Sequence, residues 1–377
     1  MRCLHLLSDW KWTGPAEPVV SLCESLHSLG IDVTLAFREA PADFRERTVE
    51  KEARKRGFPC HDGLKLNRYF SPRDWLFDFR AIYRYAVERK VDILHSNLTH
   101  DHALAAASLF GHADRPLLVR TDHKRDGLDP GLAMSALLRR TDGLASYGRT
   151  IKERDMERFA YPDERCVVLP PGVHVYDGRV SDLKSSLGLG PDEKVVGVIG
   201  RLKPDRGYDV ILKAFGMLRA RVDKVKLVIV GRSSQIEESV RKPIHALGLE
   251  KDVILAGYRL DDYFSMIATF DLFVMMRAGS DGTARALREV MGMGKPAIVS
   301  DRGMLPELVR DGYNGYVAAD EQRLAARMEQ VLTDDLLRGR LGAQARKTAV
   351  EEWDYRLQAT QLLAFYERIV ALGRRTG

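Results

Sequence analysis

The sequence predicts an α/β protein built from two successive doubly wound parallel sheets. Three observations carry this. Short apolar runs alternate with amphipathic helical patterns along most of the 377 residues. The alternation breaks once, at Pro170-Pro171-Gly172-Val173 and the polar, Gly-containing stretch that follows, and then restarts. The chain is long for one domain and comfortable for two, and its 45% hydrophobic and 30% charged content is that of a folded globular protein. The expected organisation is a first domain over 1–173, a linker over 174–192, a second domain over 193–352 and a terminal helical segment over 353–377.

The elements follow in order. Residues 2–8 read as a strand ending in Ser8-Asp9, and residues 31–37 as the next, with a helix stopped by Gly30 between them. Pro15 or Pro18 suits that helix's first turn. Helices are expected over 44–57, 72–90, 100–110, near 130–140 and over 148–159, and strands over 91–96, 117–121, 143–146 and 166–169. After the linker, strands are expected over 194–200, 226–231, 253–257, 271–276, 297–300 and 316–318, and helices over 207–221, 235–247, 261–269, 283–293, 304–310 and 321–333. The tail from 335 to 375 reads as mostly helical. Alternation of this kind gives parallel sheets covered on both faces. A junction between two such domains is a common place for a ligand cleft.

Several function classes lose support. The net charge of +6 is a mild excess, not a nucleic-acid signature. The four cysteines are scattered without a C-x-x-C, which argues against a zinc cluster or disulfide framework and for a reducing compartment. The first residues turn polar too soon for a signal peptide, and no apolar run approaches a membrane span. There is no G-x-G-x-x-G, no Walker A motif, no G-x-S-x-G and no D-x-D of the kind that holds a metal–diphosphate. The histidine spacing does not make a metal site, and no cofactor is expected.

Two stretches could carry chemistry. Gly200-Arg201-Leu202-Lys203-Pro204-Asp205-Arg206-Gly207 follows the first strand of the second half, where ligands bind in open parallel sheets. Arg201 and Arg206 can donate several N–H bonds to phosphate oxygens. Ser280 to Pro296 lies between two buried strands, and its Gly282 and Thr283 sit at a loop–helix junction whose amides suit an anion. Asp281 and Glu289 flank that junction. Ionised carboxylates only accept hydrogen bonds, so they suit sugar hydroxyls and repel phosphate; Asp281 is equally well placed to cap the helix. In the first half, His123 and His100 follow strand ends, and Trp10 and Trp12 flank the first loop, where they could stack on a sugar or simply pack.

These residues resemble the retaining glycosyltransferases of GT-B fold, family 4 (group 1). Val198-Ile199-Gly200-Arg201-Leu202 with Arg206-Gly207 is similar to that family's phosphate loop, with Arg206 where Lys is commoner. Asp281-x7-Glu289 is similar to its E-x7-E motif, with Asp in the first place. Glu289-Val290-Met291-Gly292-Met293-Gly294-Lys295-Pro296, the block Pro306-Glu307-Leu308-Val309 through Asp311-Gly312 to Asn314-Gly315, and Pro170-Pro171-Gly172-Val173 also match. Thr13-Gly14 stands where the family has paired glycines. The resemblance implies two Rossmann-like domains facing across a cleft, with the final helix crossing back to the first. It implies that Arg201 and Arg206 neutralise the donor diphosphate, that Glu289 holds the ribose, and that Asp281, Gly282 and Thr283 hold the transferred sugar. Tyr258 and Arg259 would lie at the base, largely through backbone, while Gly14 and Gly200 approach the donor. The backbone carbonyl of His123 would approach the anomeric centre. Transfer would retain configuration without a metal, and Asp281 would alter donor preference.

The expected function is therefore transfer of a sugar from a UDP- or GDP-linked donor to a glycan or lipid-linked acceptor such as lipopolysaccharide. A nucleotide-sugar epimerase of the same fold and a non-catalytic nucleotide-sugar binder are the alternatives. Trp10, Trp12 and His100 are the acceptor-side candidates. Basic residues over 51–56 and 65–73, followed by an aromatic-rich helix, suit a membrane face or a phosphorylated lipid. The expected location is the cytoplasm, with a peripheral contact at the inner face of the cell membrane as an option.

Overall fold

The computed structural model describes residues 1–12, 14–41, 43–44, 47–279 and 284–375. They form two compact units, one of Met1–Gly172 with Tyr355–Gly377 and one of Val173–Asp354.

The first unit alternates strands β1 (Arg2–Leu7), β2 (Asp32–Phe37), β3 (Cys60–His61), β4 (Ile93–Ser96), β5 (Leu117–Asp122), β6 (Gly143–Ser146) and β7 (Cys166–Val168) with helices α1 (Ala16–Ser28), α2 (Val49–Lys55), α3 (Pro72–Glu88), α4 (Thr99–Ser108), α5 (Leu132–Arg139) and α6 (Arg149–Phe159). Its seven-stranded sheet runs β3-β2-β1-β4-β5-β6-β7, all parallel. Helices cover both faces, which is why a strand such as β1 buries apolar side chains on each side, Leu4 and Leu6 on one and Cys3 and Leu7 on the other. Two devices set the limits of α2 and α3. Thr48 caps α2 by accepting from Lys51 N at 3.2 Å, so the helix expected from residue 44 begins five residues later. Ser71 caps α3, and Pro72 occupies its first turn.

The second unit holds β8 (Lys194–Ile199), β9 (Val225–Val230), β10 (Val253–Gly257), β11 (Leu272–Met275), β12 (Ala297–Val299) and β13 (Gly315–Val317). Its helices are α7 (Tyr208–Arg219), α8 (Lys242–Ala246), α9 (Tyr263–Thr269), α10 (Arg285–Gly292), α11 (Leu305–Leu308), α12 (Glu321–Thr333) and α13 (Asp335–Glu352). The sheet runs β10-β9-β8-β11-β12-β13, again all parallel. Residues 174–192 contain only a single short 3-10 turn and are fastened within this unit. Tyr176 stacks on Phe264 with centroids 4.0 Å apart, and Asp177 pairs with Arg346 at 2.6 Å.

The last helix, α14 (Tyr355–Leu372), belongs to the core of the first unit. Ala359, Leu362, Phe365, Tyr366 and Ile369 pack with residues of α1 and the sheet. Tyr366 adds a buried polar link: its hydroxyl meets His95 Nδ1 and, at 3.0 Å, His5 Nε2. Gly172 makes the helix start possible, because a Cβ there would lie 2.3 Å from the Tyr355 ring. That ring is held by Glu17, whose carboxylate oxygens accept from Tyr355 Oη at 2.8 Å.

Candidate functional site

Each sheet reverses its winding once, between β1 and β4 and between β8 and β11. Ligands of open parallel sheets bind at the carboxyl ends of the strands at such a reversal. Among the described residues, Gly200, Arg201 and Arg206 follow β8, Tyr258 and Arg259 follow β10, and His123 follows β5.

In the second unit the loop after β8 carries Gly200, Arg201 and Arg206. Gly200 N bonds Val230 O at 3.0 Å, and Gly231 N bonds Gly257 O at 2.8 Å, so the ends of β8, β9 and β10 are drawn together. Gly231 has a φ of +153°, and a Cβ there would stand 1.8 Å from Gly200 O, so only glycine fits. Gly207, with φ +75°, brings the start of α7 against Met276 at the end of β11. Arg206 is mostly buried and its Nη1 donates to Ala278 O, tying the loop after β8 to the loop after β11. Arg201 is exposed, and among the described residues its guanidinium makes no hydrogen bond or ion pair. One arginine thus braces the reversal point and the other is left available to a ligand.

Asp281, Gly282 and Thr283, with Ser280, lie outside the described residues. The chain re-enters at Ala284, which adopts a left-handed conformation (φ 47°, ψ 39°) directly before α10. That conformation costs a non-glycine residue roughly 1–2 kcal/mol, and such strain collects at ligand-binding turns. In α10, Glu289 is 14% exposed and fixed from two sides. Tyr263 Oη donates to its Oε2 at 2.6 Å, and Arg285 Nε lies 3.3 Å from its Oε1. Burial, and the Glu289 charge beside it, push the Tyr263 hydroxyl well above its usual range, so it remains a donor.

At the ends of β9 and β10, Tyr258 is exposed with the Arg232 guanidinium 4.3 Å over its ring. Arg259 is turned inward: its Nε donates to Ala256 O at 2.9 Å and its Nη1 to Asp262 at 2.9 Å. Its side chain braces its own turn through these two bonds. Asn314 and Gly315 are also internal. Asn314 Nδ2 donates to Leu308 O and Thr348, and a Cβ on Gly315 would lie 2.3 Å from Ala297 O.

In the first unit the reversal lies between Ser8–Trp12 and Asn97–His100. Asp101 joins the two loops by accepting from Leu98 N at 2.6 Å and Ser8 N at 3.1 Å. Asp9 bonds the amides of Trp10 and Lys11 at 2.9 and 3.1 Å and meets Arg68 at 3.4 Å. Trp10 packs edge-on to Phe44, and Trp12 packs against the unit's core with Arg47 4.7 Å over its ring. Gly14 lies in the turn before α1. His100 sits in the first turn of α4, edge-on to Trp75; burial and the nearby Arg68 and Arg38 charges lower its pKa.

His123 is buried. Asn97 Nδ2 donates to Leu6 O at 3.0 Å, which turns Asn97 Oδ1 toward His123 Nε2 at 3.2 Å. Nε2 must therefore carry the proton. Burial, with Arg120 nearby, drives the ring's pKa well below its usual value, so the imidazole is neutral and engaged. Next to it is a sealed charge cluster. Arg120 is fully buried, its Nη1 3.9 Å from Asp101 Oδ1, and its Nε and Nη1 find no hydrogen-bond acceptor among the described residues. Burial pushes Asp101 and Asp155 up to about 7 and Asp122 up to about 6.

The sequence reading missed Tyr263, Arg232, Arg285 and the Ala278 carbonyl. Tyr263, Arg232 and Ala278 come from elements other than the motif they support, so no spacing announces them; Arg285 stands inside the motif, one helical turn before Glu289, at a spacing that announces an ion pair. Among the described residues no group of three His, Cys, Asp or Glu side chains is placed to hold a metal ion.

The model of the glycosyl transferases group 1 matches residues 180–348, and that of glycosyltransferase family 4 matches residues 13–176. Spore coat protein SA of Bacillus subtilis is 29% identical over 197 residues, 50% of this chain and 52% of that protein. The phosphatidyl-myo-inositol mannosyltransferase of Mycobacterium leprae is 30% identical over 215 residues, 56% of this chain and 55% of that enzyme. The matched segment thus spans about half the length of these curated relatives. The crystal structure of a glycosyltransferase from Rickettsia africae shares the fold, with a TM-score of 0.82 at 15% identity over 99% of both chains.

Proposed function

The chain belongs to the group 1 glycosyltransferases, family 4, and on that premise we propose that it transfers a sugar from a nucleoside-diphosphate sugar to a cell-envelope glycan or lipid-linked acceptor, with retention of configuration. One observation supports the reading above the others. In the second unit, Arg201, whose guanidinium has no partner among the described residues, and Arg206, braced on Ala278, lie in the loop after β8, and the fixed carboxylate of Glu289 lies in the helix that follows the neighbouring strand β11. That combination suits a diphosphate joined to a polyol.

Arg201 and Arg206 meet the diphosphate and stabilise the charge that grows on it as the sugar leaves. Arg206 is held in place beforehand by Ala278 O, so this stabilisation needs little reorganisation during the reaction. Glu289, fixed by Tyr263 and Arg285, accepts from the ribose hydroxyls. Tyr258, backed by Arg232, offers a face to the base. Asp281, Gly282 and Thr283 bind the transferred sugar, and the shorter reach of Asp281 shifts donor preference. The first unit takes the acceptor near Trp10 and His100. His123 contributes its backbone carbonyl, because its ring is neutral, buried and bonded to Asn97. With the charge carried by arginines and no D-x-D in the sequence, the reaction runs without a metal. The work is done in the cytoplasm beside the membrane that carries the acceptor.

Incubation with UDP-, GDP- and ADP-sugars tests this. Slow release of nucleoside diphosphate from one of them, faster with a lipid or glycan acceptor, is expected. Interconversion of donor sugars would make the protein an epimerase, and binding without turnover would make it a sensor; either result defeats the proposal. Asp281→Glu is expected to change the ranking of donors, and an unchanged ranking would remove Asp281 from sugar selection.

A further inference from the structure

The surface helix α3 has an outward face that a helix merely covering a sheet does not need. Its inner face is ordinary: Asp78, Ile82 and Ala86 are buried. At 3.6 residues per turn, Arg73, Leu76, Phe77, Arg80, Arg84 and Val87 fall within an arc of about 100° on the opposite side. Leu76 and Phe77 are 51% and 47% exposed, and the two residues leading into the helix, Tyr69 and Phe70, are 78% and 73% exposed. Arg73, Arg80 and Arg84 are exposed, and none of their guanidinium groups forms an ion pair or hydrogen bond among the described residues. With Leu76, Phe77 and Tyr83 they line a groove of about 660 Å³. Large apolar side chains between unpaired arginines on an open surface are not explained by the packing of the unit.

The charge along this segment is one-sided, although Arg68 is met by Asp9. Residues 65–90 contain seven cations (Lys65, Arg68, Arg73, Arg80, Arg84, Arg89, Lys90) against three acids. Two of the acids are occupied locally. Asp78 accepts from the amides of Lys65 and Leu66 at 2.7 and 2.8 Å, and Asp74 accepts from Asn67 at 2.9 Å. Only Glu88, at the end of the helix, is an exposed acid without such a bond.

We propose that the outward face of α3, with Tyr69 and Phe70, docks the protein on an anionic lipid bilayer. The arginines meet headgroup phosphates while Leu76, Phe77 and Phe70 enter the boundary between headgroups and acyl chains. A helix with an apolar stripe flanked by cations lies in the plane of such an interface, and arginine stems can lie along the apolar layer while their guanidinium groups stay in the headgroups. A nucleic acid would satisfy the arginines but would leave Leu76 and Val87 without a partner. The proposal rests on the reading that the acceptor is lipid-linked, and it is read out by binding alone, so its failure leaves the donor chemistry standing.

The test is co-sedimentation of the full chain with phosphatidylcholine vesicles and with vesicles of phosphatidylcholine and phosphatidylglycerol. Binding to the anionic vesicles only, weakening as salt rises, is expected. Each arginine near an anionic surface is worth about fivefold in partitioning, so R73Q/R80Q/R84Q is expected to bind roughly a hundredfold more weakly. L76A/F77A is expected to lose the binding that remains at high salt. All five positions are exposed, and both variants are expected to keep the wild-type melting temperature and donor hydrolysis rate. Absence of binding to anionic vesicles, wild-type binding by the triple variant, or a self-association abolished by L76A/F77A with no vesicle binding would each overturn the proposal.

Discussion

Arg120 in the first unit and Arg201 in the second both lie at or near the carboxyl ends of parallel strands, yet one is sealed and the other is open. Arg120 is surrounded by Asp101, Asp122 and Asp155, with His102 and His123 close enough to feel its charge. Arg201 is exposed with no partner among the described residues. The difference separates two uses of the same position in a fold. A buried cation is balanced by acids and organises loops; an exposed one waits for an anion. It also explains why a histidine at a strand end, His123, is a poor candidate for proton transfer here.

Four results would break or sharpen this comparison. The largest is expected at Arg120. Arg120→Met leaves three acids without their cation, and removal of one partner from a buried ionic group typically costs about 3–5 kcal/mol. Urea unfolding near neutral pH measures it; a loss below about 1 kcal/mol would mean the cluster organises nothing. Next is Arg201→Ala, expected to slow donor hydrolysis by about 10²–10³-fold, as for loss of one preorganised donor to a developing charge. Its melting temperature is expected to stay unchanged, and a destabilised variant with normal turnover would reverse the roles assigned to the two arginines.

The third concerns pH. Burial raises Asp101 to about 7, above its unfolded value near 3.8. Between those values the folded protein holds a proton that the unfolded chain has released, so Asp101 contributes less stability as pH rises through that window. Asp101→Asn does not titrate. Its stability deficit relative to wild type is expected to be smaller at about pH 8 than at about pH 5. A deficit that grows with pH would show an ionised, stabilising Asp101. The smallest effect is expected at His123. His123→Ala removes one hydrogen bond and the edge contact with Tyr147, so donor turnover should fall within about tenfold; general acid–base catalysis by the ring would make the loss about 10²–10⁴-fold.

Much of this fold is legible in the sequence because period and punctuation are strong. The apolar runs and terminal glycines of β8 and β9, and the restart after Gly172, define elements that the structure reproduces within a few residues. What escaped lacks such signals. The strand β3 is only Cys60–His61, too short to show alternation, and it exists because Leu35 and Ala36 pair with it. The site divides in the same way. Arg201, Arg206 and Glu289 stand in motifs. Of their supports, Ala278 gains meaning only once the loops after β8 and β11 meet, Tyr263 only once α9 and α10 do, and Arg232 only once β9 and β10 lie side by side, whereas Arg285 pairs with Glu289 inside α10. Arg259 shows the converse: a cation in a promising loop that spends its side chain on Ala256 and Asp262. Composition cannot tell an open arginine from a committed one, because the distinction depends on acceptors brought near by folding.

The central claim is that the open strand ends of the second unit hold a nucleoside-diphosphate sugar. Thermal unfolding of the wild-type chain across a panel of nucleoside diphosphates and their sugars tests it most directly, since a ligand that binds only the folded state raises the melting temperature by mass action. One nucleoside diphosphate and its sugar conjugates are expected to raise it in a concentration-dependent way, while the matching monophosphate has a weaker effect and Arg201→Ala loses most of the shift. A flat response to every member of the panel, or a shift of equal size in Arg201→Ala, would contradict the account.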